Sequence, residues 1–204
     1  MQAEIITAFV TLVVIIDPFG LAPLFVALTT GMEASRRRRI ALVACLTAAA
    51  ILLVFGLLGD AVLGFVGISM PAFRIAGGIL LFLTALDMLF DRRSKRREDQ
   101  SHAGEDDPSV FPLAIPLIAG PGAIATMILL TGQQEGDMTW LVAVNLVMLG
   151  VLAVTFLFFM AAGPIERLLG PVGINVVTRL LGMLLAALSV QFVLDGLKAS
   201  GFAG

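Results

Sequence analysis

Val13-Val14-Ile15-Ile16-Asp17-Pro18-Phe19-Gly20-Leu21-Ala22-Pro23 places an acid and two prolines in the middle of an apolar run that extends from residue 5 to residue 30. The run is long enough to cross a bilayer, which takes about 20 apolar residues. A proline inside a helix removes an N–H donor and clashes with the carbonyl one turn back. In lipid such a gap is tolerated only where protein or water meets the freed backbone groups. The stretch therefore reads as a transmembrane helix interrupted near its midpoint.

Five more apolar runs follow, over 40–66, 71–90, 110–130, 139–162 and 174–197. No strand-like alternation appears in them, so the expected fold is an all-α membrane protein of six transmembrane helices. Composition agrees: 59% of residues are hydrophobic and 14% charged, against about a quarter charged in a soluble domain. The N-terminus has no basic region or small-residue cleavage site, so it reads as a retained first span. Cys45 lies alone in an apolar run and offers no intramolecular disulfide; His102 sits in a polar loop.

The charges sort the breaks. Arg36, Arg37, Arg38 and Arg39 precede span two. The segment 91–109 carries Arg92, Arg93, Lys95, Arg96 and Arg97, then Glu98, Asp99, Glu105, Asp106 and Asp107. It reads as a flexible charged linker. Arg167 lies between spans five and six. These breaks share one side, which positive charge marks as cytoplasmic. Both termini are then expected on the periplasmic side of a bacterial inner membrane, with Trp140 as an anchor at the outer interface.

An internal repeat organises the spans. Pro18 and Pro23 are matched by Pro116 and Pro121 at the same spacing. Arg74-Ile75-Ala76-Gly77 with Thr84 is matched by Arg179-Leu180-Leu181-Gly182 with Ser189. Gly64-Phe65-Val66-Gly67-Ile68 precedes the first set, and Gly170-Pro171-Val172-Gly173-Ile174 the second. Residues 1–90 and 110–204 thus read as three-helix repeats. An odd number of spans inverts the second copy. The expected architecture is two inverted-topology repeats, with spans one and four broken at Pro and Gly, an arrangement common in secondary transporters.

The second broken stretch is Ile115-Pro116-Leu117-Ile118-Ala119-Gly120-Pro121-Gly122. The candidate substrate site joins Asp17, Pro18, Phe19, Gly20, Leu21, Ala22 and Pro23 with Pro116, Ala119, Gly120, Pro121 and Gly122. Half-helix N-termini attract a carboxylate, and freed carbonyls suit an ammonium group, so a small zwitterion fits both. The competing reading is a pair of packing kinks. Asp17 is the one acid placed deep in a span, where a charge costs around 2.5–3.5 kcal/mol. It reads either as a proton carrier or as the N-cap of a helix opening at Pro18. Ile115 stands at the matching place in the second half, so an ionisable role belongs to one half only. Arg74 and Arg179 read as a pair of gates, or as side chains snorkelling to the nearest interface.

Thr84, Ser189, Thr126, Asn145, Asn175 and Gln191 offer site hydroxyls and amides or, more plainly, interhelical hydrogen bonds. Gly77, Gly78 and Gly182 permit close helix contact. Asp60, Asp87 and Asp195 fall near span ends, where solvation is expected. No Ser–His pair, His-Glu-x-x-His motif or phosphate-binding Gly-Lys-Ser/Thr loop is present in the spans. An enzyme, a bound metal or cofactor, and a nucleic-acid partner are therefore not expected.

Asp17-Pro18-Phe19-Gly20-Leu21-Ala22-Pro23, Phe73-Arg74-Ile75-Ala76-Gly77-Gly78, the run Pro112 to Gly122 and Thr178-Arg179-Leu180-Leu181-Gly182 resemble the MarC family. The likeness covers nearly the whole chain except the linker. Its most specific piece is the Pro-x-Ala-x-Pro segment followed by Gly120-Pro121-Gly122. The resemblance implies a transporter of small neutral amino acids such as glycine and alanine, as described for SnatA-like members, with distant kinship to the LysE exporter superfamily. Many members carry Asn at the position of Asp17, so the resemblance does not extend a proton role to that residue.

The sequence reading is thus a secondary transporter of a small neutral amino acid, driven by protons and working by alternating access. Its rivals are a channel or efflux pathway for small amphiphilic compounds, and a non-transporting membrane scaffold. The expected partners are the solute, protons and membrane lipids.

Overall fold

The protein is described by a computed structural model over residues 2–90, 107–134 and 136–202. Most of these residues are helical, and no strand occurs among them. The order is α1 (Gln2–Ile16), α2 (Pro18–Leu28), α3 (Ala34–Val66), α4 (Met70–Leu89), α5 (Ser109–Ile118), α6 (Pro121–Thr131), α7 (Met138–Met160) and α8 (Ala162–Ala199). Five helices are long and apolar enough to cross a membrane when α1 and α2 count together, and α5 with α6 makes six if that bent pair is one span. His102 and most of the expected linker lie outside the described residues.

Local chemistry explains the boundaries. Gly67, at φ 79°, closes α3: the Ile68 amide donates to the Leu63 carbonyl at 2.9 Å, the bonding of a left-handed helix C-cap. Ser69 then caps α4, its hydroxyl accepting from the Ala72 amide at 3.4 Å. At its start α3 runs longer than the apolar pattern suggests. The four arginines Arg36–Arg39 are helical rather than a break. A helix of 33 residues extends about 50 Å, well beyond the roughly 30 Å hydrocarbon core, so the arginine turns project out of it. Gly170, at φ 61° and ψ 174°, interrupts α8 ahead of Pro171. The long apolar part that follows corresponds to expected span six.

Contacts sort the helix ends into two faces. Gln134 bonds the Glu4 side chain, and a Cβ on Gly196 would meet the Pro71 carbonyl at 2.9 Å. Gly132 packs on Met70. The N-terminus, the α3–α4 turn, the α6–α7 loop and the end of α8 therefore share a terminal face. On the opposite, arginine face, Phe25 of α2 stacks on Phe159 of α7 with centroids 4.5 Å apart, and Arg36 and Arg39 lie near Asp107.

The substantial contacts of α1 to α4 are all with helices of the other half. The α3 helix packs on α5, α6 and α7, while α1 and α2 pack on α7 and α8. The largest single interface joins α4 and α8. These two run antiparallel, and their backbones approach at small residues: a Cβ on Gly78 would meet the Ser189 carbonyl at 2.8 Å, and one on Gly182 would meet Met88 Cβ at 2.9 Å. Gly77, Gly78 and Gly182 thus have the packing role their type suggests. Cys45 is a free, buried cysteine.

Candidate functional site

Two interrupted spans meet inside this bundle. In the first, α1 keeps its hydrogen bonding as far as the Asp17 amide, which donates to the Val13 carbonyl at 2.9 Å. Asp17 itself turns left-handed, at φ 57° and ψ 66°. Pro18 then opens α2, and the Asp17 carboxylate accepts from the Gly20 amide at 3.0 Å. Asp17 is the N-cap of α2 and is fully buried. The Asp-Pro pair produces this directly, because proline at the first helical position needs no donor partner and aspartate satisfies an orphan amide. Further along, Pro23 has no N–H, so the Phe19 carbonyl lacks its intrahelical donor. The Phe19 ring meets Phe158 edge-on at 4.6 Å.

The second interruption is built differently. Residues before proline are pushed away from helical dihedrals, and Phe111 and Ile115, which precede Pro112 and Pro116, are extended at φ near −125°. Both X–Pro bonds are cis. The segment α5 is wound by wider bonds: the Leu113 amide donates to Pro108 at 3.2 Å and the Ala119 amide to Ala114 at 2.8 Å. Pro121 opens α6, bent 54° from α5. No side chain caps α6. Its first amides, at Gly122 and Ala123, therefore present the positive end of a helix dipole to the interior. Ala119 and Gly120 are buried, Pro116 and Gly122 half-buried, and Pro121 exposed.

The two breaks are neighbours. A Cβ on Gly122 would lie 2.9 Å from Ile15 Cδ1, two residues before Asp17. Along α2, Pro18, Leu21 and Ala22 are buried, while Phe19, Gly20 and Pro23 are half-buried. The two Pro-x-x-x-x-Pro runs do not occupy matching places, however. Pro18 opens α2 and Pro23 lies within it, whereas Pro116 lies within α5 and Pro121 opens α6. The like elements are the helices that start at Pro18 and Pro121, each of 11 residues. Spacing alone paired prolines of different duty.

Other expected residues fall out as follows. The Arg74 Nη2 donates to the Gly132 carbonyl at 2.7 Å, at the C-cap of α6. Arg179, the residue the sequence spacing pairs with it, is exposed and has no such partner among the described residues. Trp140 is not an interface anchor: it is 1% exposed, and its indole N–H donates to the Leu130 carbonyl at 2.8 Å. Thr126, Asn145, Thr84 and Ser189 donate to carbonyls of their own helices, not across helices. Gln191 likewise bonds Asp195 one turn on. The Asn145 Oδ1 is buried without a partner and faces Gly56 of α3; residue type marked the amide, but not that its oxygen would be left unpaired.

At the arginine face, Asp107 accepts from the Ser109 amide at 3.0 Å. The Ser109 hydroxyl and amide, aided by Arg39 and Arg36, hold the Asp107 carboxyl below its usual range. A lowered carboxyl stabilises the fold above its ordinary value and loses that contribution as pH falls through the lowered one. In a carboxyl-carbon NMR titration, the Asp107 midpoint should lie below 3.8. Ser109→Ala should move it up toward that value, and an unmoved midpoint would remove the hydroxyl as the cause.

The model of the MarC family of integral membrane proteins matches residues 2–200. The UPF0056 inner membrane protein YhgN of Escherichia coli K12 is 38% identical over 195 residues, covering 96% of both chains. A UPF0056 membrane protein of Methanocaldococcus jannaschii is 36% identical over 200 residues, again covering 96% of both. One of Archaeoglobus fulgidus is 39% identical over 193 residues, covering 93% of this chain and 90% of the relative. No solved structure matches.

Proposed function

The chain belongs to the MarC family of integral membrane proteins, and from that premise we propose that it is a secondary transporter of small neutral amino acids of the glycine and alanine kind. The observation that carries the reading is the junction of two interrupted spans. The uncapped start of α6 offers amides to a carboxylate. The Phe19 carbonyl, left without a donor by Pro23, and the Asp17 carboxylate offer acceptors to an ammonium group. Opposite charges on one small solute suit opposite ends of the junction.

Alternating access follows from treating residues 1–90 and 110–204 as inverted repeats, with both termini periplasmic and the arginine face in the cytoplasm of a cell with the chain in its inner membrane. The antiparallel α4–α8 pair and the sharing of one face by both termini support that arrangement. The name of the E. coli relative supports the location. Asp17 is the proposed proton carrier, giving up its cap on Gly20 as it is protonated. A proton moved down 100 mV supplies about 2.3 kcal/mol.

The test is exchange of labelled glycine in liposomes containing the purified protein. Saturable exchange supports a carrier. Flux that never saturates would instead support the channel or efflux reading, and no flux of any solute the scaffold. Pro121→Ala restores an N–H donor and should let helix run through the second break. Glycine exchange should fall roughly tenfold, which is about 1.4 kcal/mol of barrier, while the melting temperature stays near the parent's. Undiminished exchange would separate the break from transport.

A further inference from the structure

The two half-helices α2 and α6 end on opposite faces, and their ends are held in different ways. The last carbonyls of a helix have no intrahelical partner. On α6 those of Leu130 and Gly132 are taken by side chains from elsewhere: Trp140 Nε1 of α7 at 2.8 Å and Arg74 Nη2 of α4 at 2.7 Å. Gly132 packs there against the end of the Met70 side chain. Both last turns have a local threonine, Thr131 Oγ1 donating to the Met127 carbonyl at 2.9 Å on α6, but on α2 the side-chain donors are local alone among the described residues. Thr29 Oγ1 donates to the Phe25 carbonyl at 2.7 Å and Thr30 Oγ1 to the Val26 carbonyl at 2.9 Å. Arg37 lies over the Phe25 ring, 5.7 Å from its centroid, and Phe25 in turn stacks on Phe159.

The α6 helix is therefore an 11-residue lever, bent 54° from α5 at its inner end and tied at its outer end to two different helices. A tilt of α6 about Gly120 must break both ties together. We propose that Arg74 and Trp140 form a latch on the C-terminus of α6 that keeps the terminal face closed in this state, and that Arg37 on Phe25, rather than Arg179, is its counterpart at the arginine face. The cation–π contact of Arg37 is the looser of the two. A charged donor on a carbonyl is a stronger hold than a cation–π contact made by a half-buried guanidinium. The state with the terminal face closed is accordingly the favoured one. The inference rests on the transport reading and adds the residues that decide which face is shut.

The experiment uses the full chain with Cys45→Ala and Thr126→Cys. Thr126 is fully buried, midway between the break and the latch. A membrane-impermeant maleimide is applied to each face of sealed vesicles. Trp140→Phe keeps a smaller aromatic ring and removes the donor; Arg74→Ala removes the guanidinium. Each should raise labelling of residue 126 from the terminal face roughly tenfold or more, the equilibrium change expected for one strong buried hydrogen bond. Labelling from the arginine face should not rise. Arg179→Ala should leave both rates as in the parent, and Arg37→Ala should speed labelling from the arginine face alone. Unchanged rates in the first two variants, or a rise from both faces at once as general loosening would give, overturn the latch. The labelling needs no solute. Absent glycine flux with latch-dependent labelling would sink transport alone, and normal flux with indifferent labelling would sink the latch alone.

Discussion

Gly120→Ala is expected to lower the melting temperature of the detergent-purified protein by roughly 6–12 °C and to abolish solute exchange. Gly120 has ordinary extended dihedrals, φ −82° and ψ 172°, so any residue could adopt its backbone. Space is what forbids a side chain: a Cβ there would overlap the Pro116 carbonyl oxygen. That oxygen belongs to backbone wound into α5 and cannot swing aside as a side-chain tip would. Overpacking of this kind costs about 1–3 kcal/mol, and the upper end applies when backbone must move. At about 2–4 °C per kcal/mol for a chain of this size, the stated shift follows. Gly122→Ala is the control. Its Cβ would press on the flexible end of Ile15, so its melting temperature should drop by less than half as much. Equal losses in the two variants would show that the close turn at Gly120 is not what shapes the second break.

At Asp17 a graded series should separate geometry from charge. Asp17 occupies the left-handed region and caps Gly20 through its carboxylate. Asn tolerates that conformation and keeps an acceptor oxygen. Gly tolerates it without the cap, and Ala offers neither. Losing the cap costs about 1 kcal/mol, and a left-handed Ala adds about 1–2 kcal/mol. Stability should therefore fall in the order Asp, Asn, Gly, Ala, with Ala roughly 5–10 °C below the parent. Transport should sort the variants differently. Asp17→Asn should retain glycine exchange at equal pH on both sides yet lose accumulation driven by a pH gradient. Driven accumulation in a well-folded Asn variant would leave Asp17 as a cap and no more.

The breaks themselves were legible because proline acts locally. Pro18 and Pro121 cannot donate, whatever surrounds them, so the helix stops before each. The Asp17 cap was legible for the same reason, as one of two readings of an Asp-Pro pair. What could not be read was correspondence at a distance. Pro116 matches Pro18 by spacing, yet it sits in a wound segment because another proline, Pro112, precedes it by four residues and sets a different backbone rhythm. Arg74 and Arg179 match by spacing as well. Only Arg74 lies beside a helix end that lacks donors, and that neighbour is 58 residues away in the chain. Trp140 reads as a belt residue until the Leu130 carbonyl is placed next to it. Residue type and period fix local structure; the partner of a long polar side chain is settled only by packing.

The helices of 2–89 find their principal neighbours in the second half. During synthesis, then, the early spans emerge into lipid with their eventual contact surfaces bare. The chain has no stage at which a finished front domain waits for a back one. Assembly is completed only when the late spans pack against the early ones.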